Sequence, residues 1–463
     1  MSASKSIRNV LAVMSLAAST AAFSADIIPL NFDPPGVGFN DPTPVDPVGG
    51  NPGTTLGEQR QYVFSVAAQA WGDKLQSDQP IFMAAFFQPL TCSPTTGVLG
   101  SAGPTYVFRD FPGAPLAGTW YVSAQADSLS GEDGAPGYVD MVARFNGDIG
   151  VNPDCLTGQT WYNGFDHNND PTTEIDLISV VMHEFAHGLG FLTLAGSNGA
   201  LFNGLPDAYL VNMMDGDLGK RWPEMTDAER AASGVNSGKL VWAGDEVTLN
   251  APTALGPRPS VLVNTPKALA GSYEAQSASF GEPLRENGGL TGKMVVANDG
   301  VGVSTDGCEP ITTKLAGKIA LIDRGACTFV TKVLNAQAAG AKGVIIVNNA
   351  PGGLPGMGGF DAAITIPSVG VSKADGDAFK AAAAGNIVGK LILDGQFLAG
   401  ADANGYVKLY APNPYQPGSS RSHFDTSATP NLLMEPSIND DLAPLFDLDL
   451  TVPLMKDIGW NLQ

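Results

Sequence analysis

Between Ile175 and Leu189 the chain is apolar on most sides, yet it carries His183, Glu184 and His187 within that run. Such a segment is expected to form a buried helix over Glu174–Leu189, with Asp176 as N-cap and Gly188 and Gly190 at its end. Residues four apart on a helix project from one face, one turn above the other. His183 and His187 therefore offer two imidazoles to one point, with Glu184 beside them. Two histidines and a glutamate are costly to bury without a ligand, so the pattern points to a divalent ion held through ring nitrogens. Zinc fits that donor set. Glu184 can reach water at the ion rather than the ion itself, and can take its proton as that water attacks a carbonyl.

A catalytic zinc needs a third protein ligand and an open position. Gly190 could turn the chain sharply, but Thr193 stands where a histidine would complete the compact extended motif, and a hydroxyl is a poor zinc ligand. The chain has only four histidines, so His167 and His423 remain. His167 lies in a polar turn and reads as a solvated surface residue. His423 is followed shortly by Met434. A histidine followed by a methionine in a tight turn resembles the floor of a metzincin zinc site, which makes His423 the expected third ligand and Met434 the turn residue. Together, the run His183–Phe191, Ser422–Asp425 and Asn431–Pro436 resembles the leishmanolysin-type metzincins, in which a large insertion separates the third histidine from the helix. The resemblance implies an α+β zincin/metzincin-like catalytic domain, with His183, His187 and His423 on zinc and Glu184 as catalytic base. Leu450–Trp460 resembles the last helix and tail of bacterial metzincin-like peptidases.

The section 256–399 has another character. Lys318–Asp323 reads as a strand, Thr328–Ala341 as a helix and Gly343–Asn348 as a second strand, a parallel crossover unit. Ile364–Val371, a helix near Asp375–Ala384 and Leu391–Asp394 continue the α/β pattern. Cys308-Glu309-Pro310, Leu315–Gly325, Cys327-Thr328-Phe329, Lys332 and Asn335–Ala341 resemble the protease-associated (PA) domain, a small α/β module without catalytic residues that is often attached to exported peptidases. The expected layout is an export signal at 1–24, a catalytic first part at 25–255, a PA insertion at 256–399 and a catalytic second part at 400–463. Within the first part, 25 to about 53 reads as an irregular leader or short pro-segment. Leu56–Leu75 reads as an amphipathic helix, and Pro80–Phe87 and Tyr138–Phe145 as strands.

Lys5 and Arg8, the apolar run Val10–Ala18 and the small residues of Ala22-Phe23-Ser24 carry the export signal. Four cysteines, an even number, suit two disulfides in an oxidising compartment. Three pairings are open, and proximity within the domain layout favours Cys92–Cys155 and Cys308–Cys327; the PA resemblance implies the second pair. A formal net charge of −21 repels phosphate backbones and argues against nucleic acid as a partner. It suits solubility outside the cell and leaves calcium as a weaker prospect. No later run is long and apolar enough to anchor the chain in a membrane.

The expected activity is that of a secreted, extracellular or periplasmic zinc endopeptidase acting on proteins or peptides, with substrate laid along an edge strand near Val139–Phe145. Tyr415 is a candidate for the group that stabilises the oxyanion. The alternatives are a non-catalytic exported binding or adhesion protein with a structural zinc site, and a zinc hydrolase acting on non-peptide bonds. The oligomeric state is left open.

Overall fold

The computed structural model describes residues 23–463. The export-signal expectation falls almost entirely on residues 1–22, which lie outside the described residues. The first part of the chain forms β1 (Ile27–Asn31), α1 (Leu56–Gly72), β2 (Ile81–Gln88), β3 (Gly100–Pro104), α2 (Ser123–Ser130), β4 (Met141–Asn146) and α3 (Leu177–Gly188). The four strands make one sheet in the order β1-β2-β4-β3. β1, β2 and β4 run parallel, and β3 runs antiparallel to β4 with Gly100 opposite Phe145.

Helices α1 and α3 pack on this sheet through a shared aromatic cluster. Phe64 of α1 meets Phe145 of β4 edge-on at 4.8 Å and Phe185 of α3 at 5.9 Å. Trp71 is fully buried and donates its indole N–H to the Met182 carbonyl over 3.1 Å. Buried aromatics of this size each contribute about 2–3 kcal/mol through burial alone, so the helix that carries the two histidines is seated firmly.

The segment 25 to about 53 is not a loose leader. β1 is part of the sheet, and buried Asn51 donates to the carbonyls of Gln59 and Asn163. Its Pro, Gly and Asp residues shape turns that are pinned to the core, a role composition does not distinguish from looseness. The expected helix over Glu174–Leu189 starts later than the apolar pattern suggests, because Glu174–Asp176 is a short strand paired with Thr160–Tyr162.

One hydrophobic core takes residues from both sides of the middle section: Val63, Met83 and Phe185 share it with Phe424, Met434, Leu454 and Trp460. The middle section has its own eight-stranded sheet with a separate apolar cluster on each face. At its centre Leu290–Val296, Ile319–Asp323, Gly343–Val347 and Ser368–Val371 run parallel, with Phe329–Ala338 as a crossover helix. The strand that enters, Pro257–Thr265, pairs antiparallel with the strand that leaves, Val388–Leu398, and Pro257 lies opposite Leu398. The chain thus departs from the first core and returns to it at nearly one point. Disulfides join Cys92 to Cys155 and Cys308 to Cys327.

Two buried carboxyls, Asp127 of α2 and Asp140 just before β4, lie side by side. Asp127 accepts the Gly134 N–H and Asp140 the Phe82 N–H, each over 2.9 Å. Burial, reinforced by the neighbouring Asp140, pushes Asp127 up to about 7. The folded state therefore holds a proton that the unfolded chain releases near 4, and the associated stability is full at acid pH and lost as pH rises through 7. Asp127→Asn should flatten this slope, so that the variant gains on wild type between pH 5 and 8 in thermal melts. A constant difference across that range would show that the pair does not share the proton.

Candidate metal centre

α3 begins after Asp176 and ends at Gly188, and its twelve residues are all buried. Gly190 has φ +117°, a backbone state open to glycine, and a side chain there would press on Ile458 and Val122. The reversal at Gly190 brings the Phe191 carbonyl back over His187, whose Nδ1–H donates to it over 2.7 Å. The Trp460 indole N–H holds the Leu189 carbonyl at 2.9 Å, so the last residues of the chain brace this turn.

His423 arrives from the far side of the middle section on a segment tied down in several places. The Phe424 N–H donates to the Met434 carbonyl over 2.8 Å, and the Tyr410 N–H to the His423 carbonyl over 2.9 Å. Just before it, buried Arg421 donates to the carbonyls of Gly196 and Ser197 over 2.7 and 2.9 Å, linking this segment to the loop after α3. The Thr193 N–H reaches Ser422 Oγ at 3.2 Å.

The three imidazoles meet. His183, His187 and His423 are all buried, and their Nε2 atoms lie 3.2 Å apart in each of the three pairs. Each Nδ1 faces a backbone carbonyl at 2.7 Å: Leu433 for His183, Phe191 for His187 and Ser419 for His423. A carbonyl only accepts, so each Nδ1 carries the proton and each Nε2 presents a lone pair. Three lone pairs pointing at one spot cannot satisfy one another, and orphaned buried acceptors cost about 1–3 kcal/mol apiece. Burial also drives the rings toward neutrality, down to about 3 for His183 and about 4 for His187, and well below the usual value for His423. Three nitrogens about 2.0–2.1 Å from a tetrahedral ion stand about 3.3 Å apart, so the observed spacing fits zinc.

Glu184 lines the same cavity of about 1010 Å³ as the three histidines. Burial pushes its carboxyl up to about 8, with the Ala102 N–H pulling against it. A side chain at Gly100 would come within 2.9 Å of Glu184 Cγ, so β3 approaches the carboxyl as closely as glycine allows. Leu99, Gly100, Ser101 and Ala102 form one wall of the cavity, and Glu435, Pro436, Ser437 and Ile438 stand in its lining as well.

Several expectations need correction. β4, which overlaps the Val139–Phe145 segment, lies between β2 and β3 and has no free edge; of the two edge strands, β1 and β3, it is β3 that lines the cavity. Alternating burial reports which face of a strand is covered, and is silent on whether its edges are paired. His167 is not solvated: its side chain is 10% exposed and its Nδ1 lies 2.6 Å from Asp176 Oδ2. It stands apart from the histidine cluster, and Tyr415, whose ring lies against the Arg421 guanidinium at 4.8 Å, is not among the residues that line the cavity. Met434 is fully buried in the turn whose Leu433 carbonyl orients His183. The sequence reading missed Gly100 and Ala102, which had no apolar pattern to mark them, and Arg421, whose burial no local signal betrays.

Residues 290–379 match the family model described as the PA domain. The middle section holds a PA domain. Over 123 residues the chain is 39% identical to aminopeptidase YwaD of Bacillus subtilis, covering 25% of this chain and 26% of that protein. It is 38% identical over 133 residues to a receptor homology region, transmembrane domain- and RING domain-containing protein of rice, covering 28% and 24%. The chain thus spans about a quarter of the length of these relatives. Among solved structures, an aminopeptidase from Aneurinibacillus sp. strain AM-1 is 31% identical over 30% of this chain and 31% of that one, with a TM-score of 0.24. A likeness of that extent carries no argument about the whole fold. Relatives named as peptidases and relatives named as receptors match at similar levels, as expected for a shared accessory module.

Proposed function

We propose that this chain is a zinc-dependent peptidase in which His183, His187 and His423 hold the metal and Glu184 is the general base. The observation that carries this reading is the convergence of three Nε2 lone pairs with every Nδ1 proton already committed to a carbonyl. Zinc bound there supplies Lewis acidity, polarising a carbonyl and making water acidic at neutral pH. The chain's own residues do the rest. Glu184, buried next to the cluster, accepts a proton from the attacking water and returns it to the leaving amine. β3, paired on one side only, offers its free edge to an extended substrate, whose backbone is laid antiparallel or parallel along Gly100–Ala102. Glu184 itself is only 6% exposed, which limits its contact with bulk water.

The finer reading is an endopeptidase of the leishmanolysin type, supported by the order of the ligands and by Met434 in the turn below them. The names of relatives such as aminopeptidase YwaD favour a second reading, cleavage from the free N-terminus. In that case Glu435, which lines the cavity, is the group to meet an α-ammonium. Export is supported by the two disulfides, which suit an oxidising compartment.

The deciding experiment compares an internally quenched peptide acetylated at its N-terminus with an aminoacyl-p-nitroanilide, each with zinc and with chelator. Chelator-sensitive cleavage of the blocked peptide supports the endopeptidase, and cleavage of the anilide alone supports the aminopeptidase. No cleavage of either, or of casein, would leave a zinc-binding protein without catalysis. A further test lies on β3: Gly100→Ala should crowd Glu184 and lower kcat by about tenfold to a hundredfold. The fold and zinc content should be unchanged. Full activity in that variant would separate β3 from the reaction.

A further inference from the structure

Outside the histidine cluster, one other set of metal-ligating groups comes together among the described residues: Asp299, Asp306 and Glu309, with one oxygen of each within 4.8 Å of the others. All three lie in the PA domain, in the connection between the strands Leu290–Val296 and Ile319–Asp323. Asp299 and Asp306 are 5% and 7% exposed, while Glu309 is the least covered of the three and opens the cluster to solvent.

Hydrogen bonds account for only part of this charge. Asp299 Oδ1 accepts the Val301 N–H at 3.0 Å, and Asp306 Oδ1 accepts the Cys308 N–H at 3.1 Å. Asp299 Oδ2 is buried and meets no donor in hydrogen-bond geometry, although, against the effect of burial, the Glu309 N–H lies near enough to help hold the carboxyl below the usual carboxylate range. An ionised oxygen left in that state is among the costliest groups a fold can contain. The fully buried Lys332 is the cation at hand, and its Nζ is spent on the Asp306 carbonyl and on Cys308 Sγ. Three carboxylates against one ammonium leave an excess of two negative charges, which one divalent ion cancels.

We propose that Asp299, Asp306 and Glu309 form a calcium site in the PA domain. The donors are carboxylate oxygens with no imidazole or thiolate among them, which selects a hard cation over zinc. Backbone carbonyls of the same connection and water complete the six to eight oxygens calcium takes. The bound ion gives Asp299 Oδ2 its missing partner and ties the connection to the Cys308–Cys327 bridge.

The test uses the full chain with its zinc retained, titrated with calcium chloride and followed by calorimetry and by thermal melting. Neither readout depends on peptidase activity, so the outcome stands apart from that of the histidine site. The expected result is one calcium per chain with Kd of about 0.1–1 mM, the range of extracellular modules, and a Tm that rises with calcium. Glu309→Gln, a change at the least covered of the three positions, should weaken binding by about tenfold, and Asp299→Asn should abolish it. Absence of binding up to about 10 mM overturns the proposal, as does binding that both variants leave unchanged. Should Asp299→Asn fail to fold, Glu309→Gln alone decides.

Discussion

Glu184→Gln is expected to leave the protein folded and loaded with zinc while lowering kcat for peptide hydrolysis by about a thousandfold, within the range a positioned general base contributes. Glutamine keeps the shape of the side chain and its place beside β3, so access to the three imidazoles is unaltered. What it loses is the ability to accept a proton. Burial raises the Glu184 carboxyl to about 8 in the absence of a cation, and a dication a few ångströms away draws it back down, so the group is available as a base near neutrality. Removing a buried carboxyl relieves desolvation, and Tm should hold steady or rise. Zinc stoichiometry, kcat and Tm measured together decide the matter. Retained hydrolysis would remove Glu184 from the reaction, and loss of zinc would show it to be part of the metal's support.

Stripping zinc with a chelator should lower Tm by about ten degrees. An ion present at a thousand times its Kd adds about 4 kcal/mol to the folded state, and each kcal/mol moves Tm by about 2–4 °C in a unit of 150–250 residues. The catalytic unit is somewhat larger, which favours the lower end. His423→Ala should already have lost most of this increment, and its melt should barely respond to chelator. The contrast between the two proteins isolates the third imidazole, because His183 and His187 on α3 remain in place. If His423→Ala still gains ten degrees from zinc, the ion is held without that residue.

The helix with its two histidines was legible because burial and periodicity speak locally: an apolar run with two imidazoles one turn apart admits few explanations. The PA domain was legible through a long string of matched residues around Cys308 and Cys327. His423 was reachable by elimination among four histidines together with Met434, while nothing local states that it closes on α3 across 236 positions. What escaped notice was set by tertiary pairing. β3 is written Gly-Ser-Ala-Gly-Pro, with no apolar face to announce a strand, and only its ladder to β4 makes it one. His167 looked solvated in a polar turn, because its burial depends on Asp176 nine residues on. Arg421 owes its place to carbonyls more than two hundred positions away.

The pairing of Pro257 with Leu398 bears on how the three imidazoles find each other. Without structure, the intervening chain of about 140 residues would have to close as a floppy tether, whereas a folded insert reduces the gap to a few residues. Loop closure grows by about 0.6 kcal/mol per doubling of length, so the folded module spares about 3 kcal/mol. The accessory domain therefore acts as a rigid staple on the histidine cluster, and loosening it by heat, reduction or mutation would let three imidazoles that none of its residues supplies drift apart.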